Sequence, residues 1–419
     1  MDLKTVLIEQ QDEADQICKN SFSRDKSTEF KKLLKSKLIK IILGVRRSGK
    51  STLCLLSIDK DSYAYVNFDD ERLISININQ LNQLYETLLQ VKPNTKYFIF
   101  DEIQNIPHWE LFVNRLHRKG LNIIVTGSNG KLLAKELASH LTGRHLSLEL
   151  YPFSFREFLK MKKINLIGPQ TTEKKAVVNN HFQSYFDLGG FPEVLKGEPQ
   201  GRYLRELFDK IIMRDIVERF QVRNVRILKE LAMYLIQNST GFASLEILKK
   251  TFSFKSVNSL RTYLGYLHDV FLIYELSGYS HKIKERSTMP KKYYADDLGL
   301  MRALNTKPTP DLGAKLETLV FLELKRREHE FYYFKGSNFD VDFCIIENTK
   351  VKKLIQVCYS LESEKVKNRE FKSIVKAQSE LSKFHPKIEL IIITWNENAS
   401  FNFEGHDIKI LPISTWLLL

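Results

Sequence analysis

The segment Gly44–Thr52, GVRRSGKST, constrains this chain more than any other part of its sequence. It matches G-x-x-x-x-G-K-[ST], a loop that wraps the phosphates of a nucleoside triphosphate. The apolar run Leu38–Leu43 before it predicts a buried parallel strand, and residues 52–56 after it predict a helix. A strand, a glycine-rich loop and a helix in this order form the context in which the pattern binds phosphate.

The residue types in this loop predict how ATP and Mg²⁺ would be held. Glycines allow backbone N–H groups to turn inward around the phosphates. Lys50 would contact the β- and γ-phosphates, and the Ser51 hydroxyl would ligate Mg²⁺. The predicted nucleotide-binding residues of the loop are Gly44, Arg47, Ser48, Gly49, Lys50, Ser51 and Thr52.

A second apolar run, Lys96–Phe100, ends in two carboxylates about 50 residues downstream. Asp101 would support Mg²⁺, and Glu102 would orient and deprotonate the attacking water. We therefore predict Glu102 and Lys50 as catalytic residues, and Ser51 and Asp101 as metal-site residues. The alternative is that the acidic pair caps the helix that begins near residues 107–109.

Residues 36–150 alternate strand-like and helix-like patterns after a helical lead-in at 1–35. Such alternation predicts an α/β fold, a parallel sheet with helices on both faces, and a ligand at the carboxyl ends of the strands. The predicted strands are 38–43, 63–68, 96–100, 121–126 and 146–150. The predicted helices are 51–57, 77–91, 108–119 and 130–138.

Three polar residues near the predicted ligand edge have two interpretations each. Ser128 and Asn129 follow a strand, and they would either sense the γ-phosphate and water or cap the next helix. Arg144, in a loop before the last strand, would act as an arginine finger in cis or from a neighbouring subunit, or would form a surface salt bridge. A finger acting from a neighbour would require a homo-oligomer.

The composition of the chain gives expectations about its binding partners and its cellular compartment. With 64 Lys and Arg against 50 Asp and Glu, the net charge of +14 favours a polyanionic partner such as DNA, although solvated lysines give the same excess. We expect no membrane association, because the chain has no 18-residue uncharged apolar stretch. The acidic N-terminus and four cysteines without a C-x-x-C pair lead us to expect a cytoplasmic protein without zinc or disulfides.

Residues 151–200 predict a helical connector, and residues 201–295 predict a winged-helix domain. Three helix-like segments precede two strand-like runs, at 224–238, 244–251, 256–269, 270–276 and 291–295. Lys255, Asn258 and Arg261 on the third helix would enter a major groove, and the basic loop 281–286 would contact phosphates. The alternative is a winged helix used for protein packing or as an ATPase lid.

The order of elements in residues 296–419 resembles the core of PD-(D/E)xK nucleases. Glu317 on a helix and Asp342 on a strand fit the first two positions, where carboxylates gather Mg²⁺. The third position has Gln356 and, in place of the lysine, Cys358. We therefore expect a degenerate nuclease site at Glu317, Asp342 and Gln356, unless a lysine of the following helix substitutes. Those lysines are Lys365, Lys372 and Lys376.

Taken together, the chain resembles the prokaryotic AAA-type ATPases that end in a nuclease-like domain of unknown function. The resemblance is carried by the phosphate loop and by the segments 100–104, 126–129, 141–144, 189–193 and 356–359, with Glu317 and Asp342. It implies an ATPase domain at 1–150 followed by the connector, a winged helix and a restriction-endonuclease-like domain at 296–419. Three functions stay open: an ATPase that engages DNA, a nucleotide-gated switch that recruits a protein, and an ATP-dependent nuclease in defence against foreign DNA.

Overall fold

The computed structural model describes residues 2–130, 143–164 and 171–419. The chain divides into two compact units, and each is described by itself. The first comprises Met1–Phe153 with Asp269–Phe271, and the second comprises Ser154–His268 with Leu272–Leu419. The helix predicted at 130–138 lies, apart from its first residue, outside the described residues.

The first unit contains a parallel sheet in which every described strand begins and ends within one residue of its predicted bounds. Its strand order is β2-β3-β4-β1-β5, and every neighbouring pair is parallel. The strands are β1 (Ile39–Leu43), β2 (Tyr63–Asn67), β3 (Tyr97–Asp101), β4 (Asn122–Gly127) and β5 (His145–Glu149). This confirms the predicted parallel α/β core.

Helices cover both faces of this sheet, so its central strands are largely apolar. They are α1 (Leu3–Lys19), α2 (Ser27–Leu33), α3 (Lys50–Ser57), α4 (Leu81–Val91) and α5 (Trp109–Arg118). Successive strand residues point to opposite faces. Ile41 and Phe98 accordingly belong to one buried cluster, with Trp109. Ile42 and Ile99 belong to the other.

The second unit begins with helices. They are α6 (Phe155–Met161), α7 (Thr172–Leu188), α8 (Pro192–Lys196), α9 (Gln200–Lys210) with a π-helical continuation (Ile211–Glu218), α10 (Val225–Gln237), α11 (Leu245–Thr251) and α12 (Val257–Asp269). At the Gly-Gly turn after α7, the backbone lies close to the side chain of Asp297. The Gly190 amide donates to Asp297 Oδ2 at 2.6 Å. A Cβ on Gly189 would lie 2.3 Å from Asp297 Oδ1, which explains the glycine.

A small antiparallel sheet follows, with strand order β6-β8-β7. Its strands are β6 (Phe242–Ala243), β7 (Ile273–Leu276) and β8 (Lys291–Ala295). The segment 281–286, predicted as a basic loop, is instead largely the helix α13 (Ile283–Thr288). Arg286 lies over the rings of Tyr279 and Tyr332, at 5.5 and 4.9 Å. The expectation of an open loop is therefore corrected, because this arginine packs within its own unit.

The C-terminal part of the second unit is a mixed sheet covered by helices. Its strand order is β13-β14-β12-β11-β10-β9, with β11, β12 and β14 parallel and the other pairs antiparallel. The elements are α14 (Leu298–Leu304), α15 (Leu312–Arg326), β9 (Glu330–Lys335), β10 (Asp340–Glu347), β11 (Lys350–Val357), α16 (Glu364–Leu381), β12 (Glu389–Thr394), β13 (Ala399–Phe403), β14 (His406–Pro412) and α17 (Ile413–Trp416). Within the described ranges, no helix combines the length and apolar character that crossing a bilayer requires.

Candidate nucleotide-binding site

The loop between β1 and α3 has backbone torsion angles that favour glycine at particular positions. Gly44 has a φ of 145°, and a Cβ there would lie 2.1 Å from the Leu150 carbonyl oxygen. Gly49 and the non-glycine residue Arg47 also have positive φ, at 92° and 68°. A non-glycine residue held in this region marks a segment whose conformation its surroundings enforce. This backbone conformation thus explains the two glycines of the sequence pattern.

The polar groups of the loop fit an anionic ligand. Lys50 Nζ donates to the carbonyl oxygens of Gly44 and Val45 at 3.1 and 3.0 Å, and its side chain is 4% exposed. Ser48 is fully buried, and its Oγ has no hydrogen-bond partner among the described residues. An ammonium bound mainly by neutral carbonyls, beside an unsatisfied hydroxyl, matches what the phosphates of ATP require.

Asp101, at the carboxyl end of β3, lies directly across from the loop. Its Oδ2 accepts from Ser51 Oγ at 2.5 Å and from the Tyr65 hydroxyl at 2.7 Å. Its Oδ1 accepts from Thr126 Oγ1. Burial, and then the charge of Glu102, raise the pKa of Asp101, while these three donors lower it. A buried carboxylate beside a hydroxyl is a ligand set that suits Mg²⁺.

Glu102 adopts a left-handed backbone, with a φ of 53°. Its carboxylate accepts from Ser128 Oγ at 3.1 Å and from Gln104, and lies 3.8 Å from Lys50 Nζ. Burial acts to raise the pKa of Glu102, but the charges of Lys50 and Arg46 outweigh it and hold the pKa below its usual range. Glu102 is therefore ionised at neutral pH, as a group that orients and accepts a proton from water must be.

The structure brings most of the predicted residues to one edge of the sheet. Ser128 follows β4 and contacts Glu102, and Asn129 beside it is buried. Arg144 is at the opposite edge, because its carbonyl accepts from the Ile39 amide at 3.0 Å, at the start of β1. The five residues of β1, at about 3.3 Å each, separate it from the loop. The predicted role in cis is therefore wrong, and a role from a neighbouring subunit stays a prediction.

Two residues at this site were not found from the sequence. Arg24 Nη1 donates to the Ser48 carbonyl at 2.5 Å, and Nη2 donates to the Tyr151 carbonyl at 2.7 Å. No local pattern marks Arg24, because its partners are distant in sequence. Tyr65 had a weak signal, since its position on β2 places its hydroxyl near the carboxyl edge that the strand pattern predicts.

The second group of predicted residues, in the C-terminal sheet, surrounds a lysine that we did not predict. Lys292 Nζ lies 2.9 Å from both Glu317 Oε1 and Asp342 Oδ1. The amide of Gln356 is used elsewhere: its oxygen accepts from the Asp342 amide at 3.3 Å, and its nitrogen donates to Glu370 at 2.9 Å. The lysines considered as possible substitutes are exposed on α16, and the cation that contacts both carboxylates is Lys292 instead. Those possible substitutes are Lys365, Lys372 and Lys376.

Comparison with known proteins agrees with the first site. Residues 36–159 match the family model described as AAA domain, so the loop, Asp101 and Glu102 belong to an AAA-type P-loop domain. Residues 179–311 match a second model, "Domain of unknown function (DUF8612)".

Two relatives match most of the chain. "Uncharacterized protein MJ1544" of Methanocaldococcus jannaschii is 39% identical over 405 residues, which cover 92% of this chain and 89% of that protein. An "Uncharacterized protein" of Haemophilus influenzae is 31% identical over 321 residues, covering 73% and 78%. The chain belongs to the family of these two proteins.

Solved structures show a more distant likeness. The Walker-type ATPase PABY2304 of Pyrococcus abyssi has a TM-score of 0.44 and 16% identity, covering 68% of this chain and 96% of that chain. The ORC2 protein of Aeropyrum pernix in its ADP form has a TM-score of 0.35 and 14% identity, covering 66% and 92%. Likeness at this level carries no functional conclusion.

Proposed function

We propose that this protein is a Mg²⁺-dependent ATPase whose nucleotide state controls DNA engagement by the second unit. One observation carries the ATPase proposal: Lys50, Ser51, Asp101 and Glu102 meet at one edge of the parallel sheet, with Ser51 bonded to Asp101 and Lys50 beside Glu102. The match of this segment to the AAA domain model supports it.

Each residue has a distinct part in the proposed reaction. The loop amides and Lys50 bind the phosphates, and Lys50 faces the charge that develops on the γ-phosphate. Ser51 and Asp101 hold Mg²⁺, which when bound neutralises phosphate charge. Glu102 orients water and accepts its proton. Ser128, bonded to the Glu102 carboxylate, fixes where that carboxylate points.

Two substitutions separate binding from hydrolysis. We expect Lys50→Ala to abolish ATP binding, measured by calorimetry with ATP·Mg²⁺. Glu102→Gln keeps the shape but loses the base, so it should bind ATP and hydrolyse it about 10²–10⁴-fold more slowly. Glu86→Gln, an exposed glutamate on α4, is the control and should hydrolyse at the wild-type rate. Wild-type turnover by Glu102→Gln would remove Glu102 from the mechanism.

The DNA part of the proposal is supported by α12 and by the charge of the chain. Lys255, Asn258 and Arg261 are exposed on or just before this helix, as a groove-reading face requires. In a winged helix, the three-stranded sheet would then be the wing. We expect duplex binding whose affinity falls linearly with the logarithm of salt concentration, and expect Arg261→Ala to weaken it.

One observation favours a second function, a nucleotide-gated switch that recruits a protein partner. The expected wing loop is occupied by α13, and Arg286 packs on two tyrosines of its own unit. A segment packed in this way has fewer basic side chains available to contact phosphates. Absence of binding to any duplex or single strand at low salt would support the switch and reject the DNA proposal.

A further inference from the structure

The cluster around Glu317 and Asp342 holds a cation that the sequence did not place there. Lys292 belongs to β8 of the three-stranded sheet, two residues before Tyr294 and on the same face of that strand. Both side chains reach the carboxylate of Glu317 on α15, Lys292 at 2.9 Å and the Tyr294 hydroxyl at 2.7 Å. Lys292 also reaches Asp342 on β10 at 2.9 Å.

This ammonium lies between the two carboxylates that the nuclease resemblance assigns to a divalent ion. Lys292 already supplies positive charge 2.9 Å from both carboxylates, and it would repel a Mg²⁺ ion, which binds its oxygen ligands at about 2.1 Å. The Lys292 side chain is 4% exposed, and those of Glu317 and Asp342 are 12% and 7% exposed. An incoming ion would therefore meet a positive charge that is nearly buried.

The other polar groups of the cluster are engaged in hydrogen bonds and ion pairs with one another. Asp342 Oδ2 accepts from the Val357 amide at 3.0 Å. The Gln356 amide bonds to Asp342 on one side and to Glu370 on the other. Glu370 in turn is paired with Arg369. Among the described residues, no group of three or more His, Cys, Asp or Glu is arranged to hold a metal ion.

We propose that the Lys292 ammonium permanently replaces the divalent cation of the nuclease-like site, converting it into a buried clamp between the three-stranded sheet and the C-terminal sheet. This inference rests on the resemblance of residues 296–419 to the PD-(D/E)xK nuclease core. It explains why the strand position held by Cys358 has no lysine: the positive charge comes from another strand. It also predicts that the domain neither binds Mg²⁺ there nor cleaves DNA.

Removing the ammonium should create a metal site, which tests the proposal directly. We would titrate nucleotide-free protein with Mn²⁺ and follow free Mn²⁺ by electron paramagnetic resonance. Lys292→Ala should bind about one Mn²⁺ per chain beyond wild type, since two carboxylates and a small cavity become available. Adding Asp342→Asn to this variant should abolish the gain. Lys291→Ala, the neighbouring lysine paired with Glu275, is the control and should gain nothing.

Several results would overturn the proposal. The first is a folded Lys292→Ala, judged by unchanged ATP binding and circular dichroism, that gains no Mn²⁺. The second is a wild-type Mn²⁺ site lost in Asp342→Asn, which needs no Lys292 variant and so decides the matter even if Lys292→Ala does not fold. The third is plasmid cleavage by wild type that Asp342→Asn abolishes. Failure of the ATPase proposal would appear separately, as absent ATP hydrolysis with these Mn²⁺ results unchanged.

Discussion

The Lys292 clamp makes a quantitative prediction for stability. Methionine matches the length of the lysine side chain, so Lys292→Met keeps most of the packing of the stem and removes only the charge. It leaves two nearly buried carboxylates facing each other without a cation. Breaking a buried ion pair from one side costs about 3–5 kcal/mol. We expect a loss of that size in the free energy of unfolding at pH 8.

The cost should depend on pH, because Glu317 titrates near neutrality. Burial and the charge of Asp342 raise the pKa of Glu317 to about 7, and Lys292 limits the rise. The protonated carboxyl of Glu317 therefore contributes its full stabilisation below the unfolded pKa. This contribution is lost as pH rises through 7. At 1.36 kcal/mol per pKa unit, this carboxyl lowers wild-type stability by about 3 kcal/mol between pH 4.5 and 8. Without Lys292 the pKa of Glu317 rises further, so the variant should lose more stability at pH 8 than at pH 5.

Urea denaturation at several pH values measures both effects. Trp395 and Trp416 lie in the second unit and report its unfolding by fluorescence. Lys291→Met is the matched control: Lys291 Nζ lies 3.7 Å from Glu275 and its side chain is 21% exposed, so its loss should cost less than about 1 kcal/mol. The reasoning is refuted if Lys292→Met stays within about 1 kcal/mol of wild type at pH 8, or if its cost does not rise with pH.

Two further substitutions test other contacts. Tyr65→Phe removes a hydrogen bond to the buried Asp101 carboxylate that is worth about 1.5–3 kcal/mol, so ATP binding should need a higher Mg²⁺ concentration. An unchanged Mg²⁺ requirement would show that Tyr65 does not support Asp101 in binding the ion. Gly189→Ala should lower the melting temperature far more than Gly120→Ala does: both glycines have a φ of 79°, but only the first would place a Cβ against Asp297, at 2.3 Å. Equal effects of the two would mean that backbone strain alone explains Gly189.

The nucleotide-binding edge could be predicted because its residues are fixed by local patterns. A strand buried on both faces is mostly apolar, as the residues around Ile41 and Ile42 are, so its ends are visible in the sequence. In a parallel sheet all carboxyl ends meet at one edge, and the strand pattern alone therefore predicts that Asp101 lies next to the loop. Arg144 was misplaced because loop position alone does not tell which edge a residue approaches.

The contacts that escaped prediction join residues far apart in sequence. Arg24 binds the Ser48 carbonyl from a segment whose polar residues look like any exposed turn. Lys292 looks like an ordinary strand lysine beside Lys291, and only its face of the strand distinguishes it. The two carboxylates that it contacts lie on α15 and β10. No spacing of residues in a single sequence indicates that these elements meet β8.

Two of the buried lysines, Lys50 and Lys292, show why a count of charges does not identify a ligand site. Lys50 is bound by two carbonyl oxygens, and the carboxylate of Glu102 lies 3.8 Å from its Nζ, so its charge is only partly compensated. Lys292 touches two carboxylates at 2.9 Å, so its charge is already matched. Since desolvating a cation is costly without a counter-charge, the first arrangement favours binding an anion and the second favours a closed structure. The same residue type therefore belongs to a proposed anion site in one unit and to a closed ion-pair cluster in the other.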